Sequence, residues 1–249
     1  MTSLAPNVSE FEGKTALVTG AGGGIGRAIT RQLLAEGYRV LGQTTQTDHI
    51  SFPQGLEIYY GDFSSPQGIY DFIGSLGEEI EAIDILINCA GSGYIRKPFI
   101  DLEYGELIAG LSVNFLSAFL ISQAVLPSMV RERDGVIVNI GSNTTSFHGS
   151  NLNFDYFIAK SSIEAMTLYL NKHFAEKNIR VNCIKPGLID SGMREKVPGY
   201  DEMAFMRREK MIPGSEAGLP SDVANMVLFL VSEAAGYISG QVIAIAGGE

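Results

Sequence analysis

Between Val18 and Thr30 the chain reads VTGAGGGIGRAIT: an apolar, β-branched run ends at Thr19-Gly20, five glycines follow at Gly20, Gly22, Gly23, Gly24 and Gly26, and helical periodicity sets in from Ile25. A strand that gives way to a helix through such a turn points backbone N–H groups and the positive end of a helix dipole at one place. Without Cβ atoms, a phosphate can approach that main chain closely. The expected guest is a dinucleotide, and the expected setting is the first βαβ unit of a parallel sheet.

The rest of the chain keeps that rhythm. Strand-like runs are TALVT (15–19), RVLGQ (39–43), EIYYG (57–61), DILIN (84–88), VIVNI (136–140), RVNCI (180–184) and QVIAIA (241–246). Helical periodicity covers 25–36, 67–80, 104–131, 156–177 and 220–231, the last opened by Pro220, Ser221 and Asp222. The fold class expected is α/β, a single-domain Rossmann-type doubly wound fold with a seven-stranded parallel sheet flanked by helices. One domain, residues 1–249, would carry both dinucleotide binding and catalysis. The crossover 43–56 is lean, and Pro53 leaves little room in it for a full helix. Residues 191–218 break the rhythm with Met, Phe and Tyr among charges, Gly and Pro. They read as a substrate loop or lid.

With 18 Lys and Arg against 28 Asp and Glu, the net charge is -10 and no basic run invites nucleic acid. Cys89 and Cys183 lie in apolar runs and read as buried free thiols. His49, His148 and His173 are too scattered for a metal cluster, so no metal is expected. The first residues lack the basic and apolar regions of an export signal, and the apolar run 226–231 is too short to span a bilayer. A cytoplasmic protein without membrane partners is expected.

The glycine spacing T-G-x-x-x-G-x-G, Thr19 to Gly26, resembles the short-chain dehydrogenase/reductase family. Further matches run from Lys14 to Gly248: Asp62 in GDFSS, NCAG at 88–91, Asn114 in SVNFLSAF, Ser142 in VNIGS, Tyr156 and Lys160 as Y-x-x-x-K, and KPGLIDSGM from Lys185. Tyr156 and Lys160, four apart on a helix, project from one face. A free tyrosine, with a pKa of about 10, is a poor base near neutrality, and a nearby ammonium favours the phenolate.

The resemblance implies that Tyr156 passes a proton to or from the substrate oxygen while hydride moves between carbon and nicotinamide. In the same terms Ser142 holds the carbonyl or hydroxyl, Lys160 also reaches the nicotinamide ribose, and Asn114 holds a water behind Lys160. It assigns to the cofactor the turn Gly20, Gly22, Gly23, Gly24, Ile25 and Gly26, then Asp62 and Phe63 at the adenine, Asn88, Ala90 and Gly91 at the adenosine ribose, and Pro186, Gly187, Ile189 and Ser191 near the nicotinamide. One departure stands out: family members commonly place the serine thirteen residues before the tyrosine, and here it is fourteen.

The end of the second strand offers Gln43, Thr44, Thr45 and Gln46 where a carboxylate would accept the ribose 2'-hydroxyl and repel a 2'-phosphate. NADP is therefore favoured, with Thr44 and Thr45 as its contacts, and NAD stays open. GRAIT, YRVLGQTT, VNFLSAFLIS and GYISGQVIAIAGG look most like 3-oxoacyl-[acyl-carrier-protein] reductases. That implies a ketone or alcohol substrate, small or carrier-bound, and offers Arg133 and Lys177 to dock an acyl carrier protein, although both also read as ordinary surface charges at helix C-termini. Two readings stay beside it: an NAD(P)-dependent sugar or alcohol dehydrogenase, and a non-catalytic dinucleotide-binding subunit. The helices from Tyr104 and Tyr156 are apolar on more than one face, and in the family they pair subunits, so a homo-oligomer, tetramer or dimer, is expected.

Overall fold

A computed structural model describes residues 13–45, 52–93, 97–191, 202–214 and 216–249. Seven parallel strands form one sheet: β1 (Thr15–Val18), β2 (Arg39–Thr44), β3 (Glu57–Tyr60), β4 (Ile83–Asn88), β5 (Gly135–Ile140), β6 (Ile179–Pro186) and β7 (Val242–Ile245). Their spatial order is β3-β2-β1-β4-β5-β6-β7, so the winding reverses between β1 and β4. In such sheets the crevice beyond the carboxyl ends of those two strands is where ligands bind.

Alternation along the strands makes two cores. Ala16, Val18, Val40, Ile85 and Ile87 face α1 (Gly24–Ala35) and α7 (Pro220–Val231), where they meet Ile29, Leu33, Val223, Val227 and Leu230. Leu17, Leu41, Leu86, Ile137 and Val181 face the opposite way and pack with residues of α2 (Pro66–Leu76), α4 (Ser117–Glu132) and α5 (Phe154–Phe174). Both faces being covered explains why the strand runs are almost wholly apolar.

Two expected helices are cut short or broken. The run 67–80 ends as α2 at Leu76 because Gly77 takes φ 54, and a 3-10 turn carries on to Ala82. The run 104–131 divides into α3 (Tyr104–Leu111), a π-helical turn Ser112–Leu116, and α4. Side chains enter the hydrogen-bond ladder there: the Ser117 N–H donates to the Ser112 carbonyl, five residues back, and the Ser117 hydroxyl takes the Val113 carbonyl at 2.8 Å. By length and composition the stretch Tyr104–Glu132 is apolar enough to cross a membrane, its most apolar 18 residues having a mean hydropathy of 1.7; 44% of those 18 are buried inside the protein. The lean crossover shows no helix over 52–56, and its residues 46–51, Gln46 and His49 included, lie outside the described residues. Of the expected lid, α6 (Glu202–Glu209) is described and 192–201 are not.

Candidate active site

Four loops converge at the carboxyl edge of the sheet: the glycine turn after β1, residues 89–93 after β4, residues 141–153 after β5 and residues 187–191 after β6. What lies against the glycines is mostly the chain itself. A Cβ on Gly24 would sit 2.1 Å from the Ser191 carbonyl oxygen, and one on Gly26 would sit 2.1 Å from the Gly20 oxygen. Gly20, at φ 70, has the Ala90 Cα 2.8 Å from where its Cβ would be. Close ligand approach therefore does not explain these three glycines; tight packing of the turn on itself and on neighbouring loops does. Gly23 is exposed, and a Cβ there would meet only the Gly20 oxygen, at 3.3 Å.

The turn still fits a pyrophosphate. Gly23 caps α1 without a side-chain hydrogen bond, and the first turn, with Ile25 in it, carries no acid, so neither the cap nor that turn supplies a side-chain acceptor to its N–H groups. Thr19 fastens this corner: its hydroxyl accepts the Cys89 and Ala90 N–H groups, each at 3.0 Å. The Ala90 amide is thereby occupied by the protein. Asn88 donates to Ser122 at 3.1 Å and Asn139 at 2.8 Å, while its buried Oδ1 finds no partner among the described residues. The Asn88 side chain is thus held inside the protein between β5 and α4, which leaves its backbone at the strand end for a ligand.

The other expected contact residues differ in what they leave open to a ligand. The Phe63 ring lies in the core, edge-on to Phe72 at 5.3 Å, so only its backbone is left for a ligand; its carbonyl takes the Ser112 hydroxyl at 2.7 Å. Gln43 is buried and turned inward, accepting the Gly20 N–H at 2.8 Å and donating to the Gly61 carbonyl at 2.7 Å. Thr44 is buried and Thr45 is exposed at the strand end. Asp62 is exposed and accepts the Ser64 N–H at 2.9 Å. The Gly187 N–H donates to the Ile245 carbonyl at 2.9 Å, Pro186 is buried at the end of β6, and Ile189 bridges to Gly218.

Three of the four expected catalytic residues, Tyr156, Lys160 and Asn114, come together, and Ser142 follows shortly after the carbonyl that holds Lys160. Lys160 is 4% exposed, and its ammonium donates to the Ile140 carbonyl at 2.9 Å, two residues before Ser142. The same Nζ lies 5.7 Å from the centroid of the half-buried Tyr156 ring. A Cβ on Gly91 would be 3.1 Å from the Asn114 Oδ1 and 3.6 Å from the Lys160 Nζ, which puts both around one point. Asn114 sits in the π turn rather than in a regular helix, and its side chain is committed to Ser92 and to the Gly110 carbonyl. Ser142, buried at the end of β5, accepts the Thr144 N–H at 3.2 Å. Both cysteines are free, and burial pushes each thiol up to about 12.

The chain matches, over residues 20–249, the family model described as enoyl-(acyl carrier protein) reductase. It belongs to the short-chain dehydrogenase/reductase family, and it is an oxidoreductase. A 3-oxoacyl-[acyl-carrier-protein] reductase from Thermotoga maritima is 32% identical, over 96% of this chain and 98% of that protein. A 2,3-dihydroxy-2,3-dihydro-p-cumate dehydrogenase from Pseudomonas putida is 29% identical, over 100% and 98%. Among solved structures, the aldohexose dehydrogenase of Thermoplasma acidophilum aligns with a TM-score of 0.84 at 27% identity, over 98% of this chain and 96% of that one. Sequence reasoning missed the Thr19 tie and the Ser112 bond to Phe63; the threonine in the T-G motif was the one available signal.

Proposed function

We propose that the chain, as one domain over residues 1–249, is an NADP(H)-dependent reductase of a ketone, with a 3-oxoacyl thioester or a related metabolite as substrate. The observation that carries this reading is the cluster in which Lys160, bound to the Ile140 carbonyl two residues before Ser142, lies near both the Tyr156 ring and the Asn114 side chain. When bound, the nicotinamide supplies the hydride. Ser142 orients the ketone oxygen by a hydrogen bond, and Tyr156 gives that oxygen its proton. The Lys160 charge stabilises the phenolate left behind. With the Asn114 side chain committed, a water behind Lys160 falls to its backbone.

The absence of a carboxylate among Gln43, Thr44 and Thr45 supports NADP, with NAD the alternative. The 3-oxoacyl-[acyl-carrier-protein] reductase relative supports the thioester. The aldohexose dehydrogenase likeness supports the second reading, a sugar or alcohol dehydrogenase. A carrier protein would meet Arg133 and Lys177, which converge on Glu176: Arg133 donates to its carbonyl at 2.9 Å and Lys177 pairs with its carboxylate at 3.2 Å. Both lie past the far end of α5 from Tyr156, roughly 30 Å away at 1.5 Å per residue, so a carrier docked there would serve another subunit's site. A homo-oligomer, dimer or tetramer, would cover the apolar groove between α4 and α5, of about 410 Å³, where Phe119 and Tyr169 are exposed. We place the protein in the cytoplasm.

The test is turnover of acetoacetyl-coenzyme A, simple ketones, aldohexoses and polyols, each with both cofactors. NADPH-driven reduction of the thioester is expected, falling about 10²–10⁴-fold in Tyr156→Phe. Reduction untouched by that change refutes the role of Tyr156, and a chain that binds either cofactor but turns over none of these substrates is a dinucleotide-binding subunit.

A further inference from the structure

The segment 143–155, one residue longer than is common between the serine and the tyrosine, opens with a 3-10 turn, Asn143–Phe147, closed by His148 at φ 59 and Gly149 at φ 77. This turn is held from two elements that carry other parts of the site. From α5, the Glu164 carboxylate accepts the Thr145 hydroxyl. From β6, the Lys185 ammonium donates to the Ser146 hydroxyl at 2.9 Å and pairs with Glu164 at 3.4 Å. Ser146 passes the link on to the Asn143 Oδ1 at 2.9 Å, and the Asn143 Nδ2 reaches Glu249 at 3.4 Å. The Lys185 and Glu164 side chains are only 12% and 22% exposed, so water and salt screen this pair less than a surface pair.

Tyr156, Lys160 and Glu164 stand at i, i+4 and i+8, one stripe of α5. Glu164 extends the catalytic stripe by one turn, to the place where it grips the segment after Ser142. Lys185 immediately precedes Pro186 and Gly187, so its strand end is that of the nicotinamide loop. Thr145 connects the grip to the serine, since its N–H meets the Ser142 carbonyl at 3.3 Å and its hydroxyl oxygen lies 2.9 Å from the same carbonyl. Its single proton has two acceptors, and the ionised carboxylate is the stronger.

We infer that Glu164 and Lys185 are a positioning pair for Ser142, registering the serine against the tyrosine helix and the nicotinamide loop through Thr145 and Ser146. This rests on the reductase reading above. Glu164→Gln and Lys185→Met are expected to lower kcat for acetoacetyl-coenzyme A reduction about 10-fold or more, as a displaced catalytic contact does. NADPH affinity, read from its fluorescence, and Tm stay near the wild type. Lys185→Arg restores most of kcat, and the double variant is no worse than either single one, because the two residues act as a unit. Should Glu164→Gln fail to fold, Thr145→Val removes the same link and carries the same expectation.

Hydrogen exchange of amides 144–149 gives a readout without turnover: it accelerates in the variants while that of α5 does not. Unchanged exchange, an unchanged kcat, or a kcat loss matched by equal losses of NADPH affinity and Tm overturns the inference. A wild-type chain that reduces no substrate, together with variants that still show the faster exchange, sinks the reductase reading and keeps the clamp.

Discussion

Replacing Gly26 with alanine puts a methyl group where the turn has none to spare. The new Cβ would lie 2.1 Å from the Gly20 oxygen, 2.8 Å from its carbonyl carbon and 3.0 Å from the Ala21 Cα, all backbone atoms that cannot swing aside. An ordinary contact needs more than about 1 Å of relief, so the cost falls at the upper end of core overpacking, about 3 kcal/mol. Better helix propensity returns about 1 kcal/mol, which leaves a loss of about 2 kcal/mol. In a domain of this size that lowers Tm by roughly 4–8 °C. Gly23→Ala is the matched comparison, because Gly23 holds φ -79 and ψ 165, open to alanine, and its Cβ would meet one atom at 3.3 Å. Thermal unfolding of both variants without ligand is the assay, followed by NADPH titration. Gly26→Ala is expected to lose stability as stated and at least about 10-fold in affinity, equivalent to 1.4 kcal/mol, since the N–H groups of the turn move with it. Gly23→Ala is expected to melt within about 2 °C of the wild type. A Gly26→Ala chain that melts with the wild type, or a Gly23→Ala chain that falls as far, would refute the packing argument.

Thr45→Asp sets a carboxylate at the exposed end of β2 and is expected to weaken NADPH at least about 10-fold relative to NADH; equal effects on the two in parallel titrations would remove Thr45 from the 2'-phosphate site. Phe119→Glu together with Tyr169→Lys charges the groove between α4 and α5, and sedimentation is expected to shift from an oligomer to a 26.8 kDa species. A wild-type chain already at that mass would overturn the oligomer.

The short-chain fold was legible, and the candidate catalytic residues could be named, because each rests on a local signal. Strand runs are apolar on both faces, the glycine turn sits at one junction, and Tyr156 and Lys160 are a helical turn apart. Even the tetrad, scattered from 114 to 160, could be read by its order along the chain. Side-chain direction was not legible in the same way. Gln43 and Phe63 occupy the expected strand end and loop, yet Gln43 turns inward to Gly20 and Gly61, and Phe63 turns into the core on Phe72. The π turn at Asn114 was hidden too, because its composition is that of a regular helix; the Ser112 bond to Phe63 is made to a residue 49 positions away.

By itself, the order of residues determined the alternation of elements, the parallel sheet and the chemical groups available, since periodicity and turn chemistry act over a few neighbours. Only the folded chain decided which glycines are filled by protein backbone, which amides are already spent, and that Glu164 and Lys185 meet at the turn after Ser142. Those depend on contacts between segments far apart in the chain, which the packing of the two cores brings within bonding distance.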